Sequence, residues 1–373
     1  MAFTGIFPSP GEEVPTGRLA LALCTGPCSL LQLADHFDLS LLYGPHYGYR
    51  SGLNASMKAH LEETASKLVE MASPDPGDIW LDIGSSDGTL LAAAPSYMTR
   101  IGVDPSAEKF LSFYPRETIS IVGFFPNREV DALLEVQKAK VITSIAMFYD
   151  LEDPLMFAAR VKDALSPDGL WYIEQSYLPR MLEQNAYDTI CHEHIEYYAL
   201  KQIDYIAKRV GFKIVSVGFT QTNGGSFEVV LAHGTSSYQE EPNLATLLRN
   251  EASLGLDAPA TYEFFKLSID KQKRDLLSLL AELPSPVWGF GASTKGNVLL
   301  QYCKLGPANL AGIYDINEDK NGKVTPGTHI PISSTPPDDP TYVVLPWHFR
   351  TNILANNHGK FIFPLPHVEV VDA

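Results

Sequence analysis

The chain has 373 residues, 28 basic and 44 acidic, a formal net charge of −16 and 45% apolar residues. That length predicts roughly two or three domains with ordinary cores, and the charge argues against a general binder of nucleic acid or anionic membrane. The opening MAFTGIFPSPGEEVPTG lacks the basic and apolar regions of a signal peptide. No apolar run reaches the roughly 18 residues of a membrane helix, and Cys24, Cys28, Cys191 and Cys303 are too few for a disulfide scaffold. A soluble, cytoplasmic protein is expected.

Residues 1–54 are rich in Pro, Gly and Tyr and contain one strand-like run, RLALALC. SMKAHLEETASKLVEMA follows with helical spacing, and SPDPGD ends it. From residue 79, strand-like and helix-like segments alternate: IWLDIG, TLLAAA, RIGVD, AKVITSIAMF, FAARVKDAL, GLWYIEQ. Such alternation predicts a parallel sheet with helices on its faces, an α/β fold. HEHIEYYALKQIDYIAKRVGF becomes helical near Leu200, and KIVSVGF and SFEVVLAHG read as strands joined by the turn NGGS. Residues 243–283 read as largely helical. A second alternating unit, PVWGFGA, STKGNVLLQYCKL and LAGIYDIN, then repeats the strand–glycine turn–helix–strand–Asp architecture of 79–104.

Each unit predicts a ligand-sized turn. In LDIGSSDG the strand, turn and helix present backbone N–H groups, and Asp104, 22 residues after Asp82, ends the next strand where an acid can accept from a ribose. Gly84-Ser85-Ser86-Asp87-Gly88 lacks the middle glycine of GxGxxG, and Asp87 would repel a diphosphate. A cationic nucleoside such as S-adenosylmethionine suits this turn better than NAD. In GFGASTKGN, Ser293, Thr294 and Lys295 suit an anion such as a phosphate or diphosphate, with Asp315 ending the following strand. A plain folding turn with a solvated lysine is the competing explanation.

Between the two units lies His192-Glu193-His194. Zinc chemistry of the HExxH kind needs both histidines on one helical face. Here the rings would diverge by roughly 200° on a helix and share a face only on an extended segment. General-base chemistry fits better than metal binding. Taken alone, the pattern reads more readily as two histidines hydrogen-bonded in a tyrosine-rich core. Cys191 reads as a small buried residue.

Eight segments in order carry a resemblance over almost the whole chain: YGPHYGYRSGLNASMKAHL (43–61), LDIGSSDGTLL (81–91), EQSYLPRML (174–182), YDTICHEHIEYYAL (187–200), NGGSF (223–227), GFGASTKGNVLLQYC (289–303), YDINEDKNGKVTPGTHIPI (314–332) and GKFIFPLP (359–366). They resemble the S-adenosylmethionine-dependent C-methyltransferases of nucleotide-linked keto-deoxysugars. The resemblance implies three parts: a zinc-module-like N-terminal region at 1–54, a class I methyltransferase Rossmann-like domain at 55–238, and a second Rossmann-like, substrate-binding domain at 239–373. It implies methylation of a sugar carbon beside a ketone, with His194 as general base and Glu193 as its partner. Cofactor contacts would come from Tyr47, Tyr49, Asp82, Gly84, Ser85, Asp87, Gly88 and Asp104. Contacts to the sugar nucleotide would come from Tyr177, Asn223, Ser293, Lys295, Asn297 and Asp315.

One departure is clear. The family's zinc module uses two cysteine pairs, whereas only Cys24 and Cys28 stand here, spaced CxxxC, in a chain that begins about where the first pair would have passed. Structural zinc usually takes four ligands, so no metal is assigned and a shortened start or a lost metal both stay open. Cys191 stands where some relatives carry tyrosine. The expected chemistry also needs a hydrogen-bond donor for an enolate oxygen, for which His192, Tyr197 and Tyr198 are equal candidates. Three readings compete: an O- or N-methyltransferase, an NAD-dependent sugar-nucleotide oxidoreductase using GFGAS, and a non-catalytic binding protein. A monomer is expected.

Overall fold

The computed structural model describes residues 1–43, 50–284, 286–338 and 340–373. Strands β1 (Leu21–Leu23) and β2 (Leu31–Leu33) pair antiparallel, followed by the short helix α1 (Leu39–Leu42). Helix α2 (Ala55–Ala72) starts where the Asn54 side chain accepts from the Ser56 and Met57 N–H groups, which otherwise lack partners in a first turn. It buries Met57, Leu61, Ala65, Leu68 and Ala72 on one face and stops at Ser73, whose φ of 45° is left-handed.

The wound region follows: β3 (Ile79–Ile83), α3 (Thr89–Ala93), β4 (Thr99–Asp104), β5 (Ile119–Val122), α4 (Arg128–Val136), β6 (Ala139–Ile145), α5 (Pro154–Ala164), β7 (Leu165–Ser176) and α6 (Leu178–Glu183). Then come β8 (Glu196–Tyr197), α7 (Leu200–Val210), β9 (Phe212–Thr220), β10 (Ser226–His233), α8 (Leu244–Ala252) and α9 (Pro259–Glu282). The last part holds β11 (Val287–Phe290), α10 (Thr294–Cys303), β12 (Ile313–Tyr314), β13 (Ile332–Ser333), β14 (Thr341–Val344), α11 (Arg350–Asn356), β15 (Lys360–Phe363) and β16 (Glu369–Asp372). The run RLALALC contributes only Leu21–Leu23 as strand, because β2 offers it three pairing residues.

Three sheets result. The seven-stranded sheet runs β5-β4-β3-β6-β7-β10-β9, parallel from β5 to β7 and antiparallel through β10 and β9. Its winding reverses between β3 and β6, which opens a crevice beyond their carboxyl ends. The six-stranded sheet runs β13-β12-β11-β14-β15-β16, with β16 alone antiparallel. Its order reverses between β11 and β14 in the same way. The third sheet joins β1 and β2 to β8, so the N-terminal region pairs directly with the strand that follows His194.

The first eight residues act as a clasp. Ala2 N–H donates to Gln301 Oε1 at 2.7 Å, Asn297 Nδ2 donates to the Thr4 carbonyl at 2.8 Å, and Thr4 Oγ1 donates to Glu193 Oε2 at 3.3 Å. Val324 N–H donates to the Pro8 carbonyl at 2.9 Å. One continuous apolar cluster holds residues of the His segment (Tyr187, Cys191, Tyr197) together with the strands of the C-terminal sheet. No helix among the described residues is long and apolar enough to cross a membrane.

Candidate active site

A cavity opens at the β3/β6 crossover. Its floor is the turn after β3, where Gly84 (φ 78°) and Ser86 (φ 48°) are left-handed. Asp104 closes this turn from the end of β4: Oδ2 accepts from Ser86 N–H at 2.9 Å, and Oδ1 accepts from Ser106 N–H at 2.7 Å and Ser106 Oγ at 2.6 Å. Gly88, with φ 73°, starts α3, and a Cβ there would lie 2.9 Å from the Tyr114 ring, so only glycine fits.

Two acids line this cavity, Asp82 and Glu174. Asp82 Oδ1 accepts from Thr143 Oγ1 at 2.7 Å, yet burial, with Asp104 adding to it, pushes its carboxyl up to about 7. Both Glu174 oxygens accept from His60 Nε2, at 2.9 and 2.8 Å, and Oε2 also accepts from Tyr172 OH at 2.9 Å. That hydrogen bond raises the His60 pKa against the opposing effect of burial.

Asp87 has a different use from the one its place in the motif suggests. Its carboxylate accepts from Gly52 N–H at 3.1 Å and Thr89 Oγ1 at 2.6 Å and pairs with Arg50 at 3.5 Å. Its charge is therefore spent on fixing the 50–53 turn beside the cavity. Ser85 lines the cavity and shares a hydrogen bond of 2.8 Å with Tyr114 OH. Tyr47 and Tyr49 lie outside the described residues.

A second, narrow cavity holds His194 and shares Tyr149 and Ser176 with the first. His194 Nδ1 lies 2.8 Å from the Thr189 carbonyl. A carbonyl only accepts, so Nδ1 carries the hydrogen and Nε2 keeps its lone pair. Burial and the nearby Lys295 ammonium hold the ring's pKa down to about 4. Tyr149 packs against it edge-on at 4.4 Å. Glu196 lines the same cavity, accepts from Tyr198 OH and is pushed by burial up to about 8.

The other two members of His-Glu-His go elsewhere. The chain bends at Cys191–His194, where His194 N–H donates to the Cys191 carbonyl at 3.3 Å, and the two rings part. His192 is 0% exposed, packed 4.6 Å from Phe3 and 4.9 Å from Phe37, with Nε2 3.3 Å from the Gly17 carbonyl. It is a core histidine of the N-terminal clasp, not a group of the cavity. Glu193 accepts from Thr4 and does not orient His194, because the Thr189 carbonyl does. Cys191 is buried and its thiol is pushed well up by burial.

The six residues expected to meet the sugar nucleotide do not form one pocket. Asn223 lines the first cavity, and its carbonyl accepts from Lys295 Nζ at 3.0 Å. Ser293 Oγ caps α10 by accepting from Gly296 N–H at 3.0 Å. Asp315 accepts from Ala292 N–H at 2.7 Å and Asn317 N–H at 2.8 Å, latching the second glycine turn as Asp104 latches the first. Asn297 is 0% exposed; its Nδ2 holds Thr4 while its Oδ1 has no hydrogen-bond partner. Tyr177 OH donates to Glu251 at 2.8 Å. No group of three or more His, Cys, Asp or Glu side chains is placed to hold a metal among the described residues. Cys24 and Cys28 stand as a thiol pair 3.3 Å apart.

Residues 57–217 match the family model described as a methyltransferase domain, and residues 221–366 match that of the C-methyltransferase C-terminal domain. The C-methyltransferase NovU of Streptomyces niveus is 30% identical over 364 residues, covering 93% of this chain and 86% of that protein. The chain belongs to this C-methyltransferase family. The enzyme is an S-adenosylmethionine-dependent methyltransferase with a class I Rossmann-like domain and a C-terminal domain carrying its own sheet. Among solved structures, an S-adenosylmethionine-dependent methyltransferase from Clostridium acetobutylicum aligns at TM-score 0.37 and 10% identity, covering 48% of this chain and 92% of that one. Magnesium protoporphyrin IX methyltransferase from Synechocystis aligns at 0.34 and 15%, covering 47% and 79%.

Sequence reasoning missed three residues that line these two cavities. His60 and Glu174 stand 114 positions apart and meet only in the fold. Thr189 acts through its backbone carbonyl, which no residue type announces. Signals were present: His60 is a histidine on the buried face of an amphipathic helix, and His60, Glu174 and Thr189 all fall inside segments already marked by resemblance.

Proposed function

We propose that the enzyme methylates the carbon beside the ketone of a nucleotide-linked keto-deoxysugar, with His194 as the base. One observation carries this reading: a histidine with its Nδ1 hydrogen committed to Thr189 and its Nε2 lone pair free, in a cavity that shares walls with the cofactor cavity. Bound S-adenosylmethionine supplies an electrophilic methyl on a cationic sulfur. The chain's residues fit it: the Gly84–Ser86 turn, latched by Asp104, suits the nucleoside, and Asp82 and the Glu174–His60 pair suit its charged end.

A sugar C–H is too weak an acid to react unaided. A neighbouring ketone lets the electron pair released at carbon move onto oxygen as an enolate. His194 takes the proton at Nε2, and its low pKa keeps it neutral, and so able to accept, at physiological pH. The pair would then return to carbon to form the C–CH3 bond, with the methyl–sulfur bond broken and its electrons left on the departing thioether. This step cancels charge, so what the protein contributes is alignment and exclusion of water. Lys295, reaching from the second glycine turn toward Asn223, suits the diphosphate of the sugar nucleotide.

The test uses methyl-labelled S-adenosylmethionine with a panel of 4-keto-6-deoxy sugar nucleotides. It follows product mass and solvent-deuterium exchange at the carbon beside the ketone. Wild type is expected to exchange and to add one methyl to carbon. His194→Asn is expected to lose both while binding cofactor within a few-fold of wild type. Loss of cofactor binding along with turnover would sink the role given to His194. Methylation of a reduced sugar would move the reaction to oxygen or nitrogen.

A further inference from the structure

Enolisation needs a donor for the oxygen as well as a base for the carbon. We propose that the Tyr197 hydroxyl is that donor, facing the developing enolate oxygen while His194 takes the proton. This rests on the reaction proposed above and adds a catalytic residue to it.

The structure separates three aromatic side chains that are equivalent in sequence. His192 is walled in by Phe3 and Phe37. Tyr198 OH already donates to Glu196. Tyr197 lines the same cavity as His194, and its hydroxyl, fully buried, has no hydrogen-bond partner. Buried hydroxyls without partners are uncommon, because water satisfied them before folding. An oxyanion arriving in this cavity would meet that need.

The setting favours a donor. Tyr197 belongs to β8, pairs with Leu31 of β2 and is packed into the apolar cluster that joins the His segment to the C-terminal sheet. A donor fixed in this way needs no reorganisation when charge develops, the condition under which such hydrogen bonds contribute most. Burial, reinforced by Cys191, Asp150 and Glu193, holds the phenol protonated far above neutrality. The phenol therefore keeps its proton through the step. The C–H bond breaks, its proton goes to His194 Nε2, its electron pair enters the C=C bond, and the carbonyl pair settles on the oxygen that Tyr197 meets.

Tyr197→Phe removes one oxygen and tests this directly. Three readouts are taken: Tm, binding of S-adenosylhomocysteine, and the rates of solvent exchange and methyl transfer on the ketosugar. The expected result is an unchanged or raised Tm, since an unpartnered polar atom is gone, and unchanged binding. Both rates are expected to fall about 10²–10³-fold, the usual effect of losing one oxyanion donor, with KM within a few-fold. Rates within a few-fold of wild type overturn the proposal. So does a rate loss accompanied by a fallen Tm or weakened binding, which would make Tyr197 a packing residue. Wild type that exchanges no ketosugar proton overturns the underlying reaction as well. Exchange by wild type with an equal rate in Tyr197→Phe removes only the role of Tyr197.

Discussion

Asp82 shows how one buried carboxyl ties stability to ligand binding. Its pKa is about 7 in the folded protein and about 4 in an unfolded chain. Between those values the folded state holds a proton that the unfolded state has released. Its contribution to stability is therefore full below about pH 4 and is lost as pH rises through about 7. A cation in the cavity favours the ionised acid and reverses that cost. The Kd for S-adenosylmethionine is expected to fall as pH rises from about 6 to about 8, and S-adenosylhomocysteine, without the sulfonium, should follow pH less. Asp82→Asn keeps an acceptor for Thr143 and should flatten the profile. Calorimetric titration at several pH values measures this, and a pH-independent wild-type Kd for the sulfonium compound would refute the coupling. The sequence placed Asp82 in a cofactor turn, but its unusual charge state comes from burial, which spacing does not report.

Helix α7 shows the same division for an element. Its periodicity announced a start near Leu200, where it does start. How that start is stabilised was hidden, because Ala199 occupies the cap position and has no side-chain acceptor. The free N–H groups of Leu200 and Lys201 donate instead to Glu251 of α8, both at 2.7 Å, and Tyr177 OH donates to the same carboxylate. A buried anion at a helix N-terminus also complements the helix dipole. Glu251→Ala leaves two N–H groups and a phenol unpaired and should cost about 2–4 kcal/mol. The loss would appear as a lower midpoint in urea unfolding. Because α7 follows the His194 segment directly, kcat should fall too. A wild-type midpoint would mean that water replaces the carboxylate at no cost.

At the scale of the molecule, contacts between its parts set the electrostatics of the site. Lys295 extends from the second glycine turn to the Asn223 carbonyl at the rim of the first cavity, and its charge lowers the pKa of His194. Asp188, beside it, accepts from Trp347 Nε1 at 2.7 Å and ties the His segment to the C-terminal domain. Lys295→Ala is expected to raise KM for the sugar nucleotide about 10–100-fold, the range for a lost charge-assisted hydrogen bond. Cofactor binding should stay as it is, and the His194 pKa should rise. An unchanged KM in steady-state kinetics would remove the diphosphate from Lys295.

The sequence by itself determined the two wound sheets, their glycine turns, the acid that ends β4 and the acid that follows β12, and the segment that carries His192 and His194. These features depend on local periodicity and on turn chemistry, which neighbouring residues set. Tertiary structure alone decided that His192 and His194, two positions apart, serve different purposes, because the bend at Cys191 sends one into the N-terminal clasp and the other into a cavity. It also committed Asp87 to the 50–53 turn and the Asn297 Nδ2 to Thr4, brought His60 to Glu174, and left Tyr197 without a partner while satisfying Tyr198. A side chain's hydrogen-bond partner and its burial are set by segments far away in the chain, so residue type and spacing do not contain them.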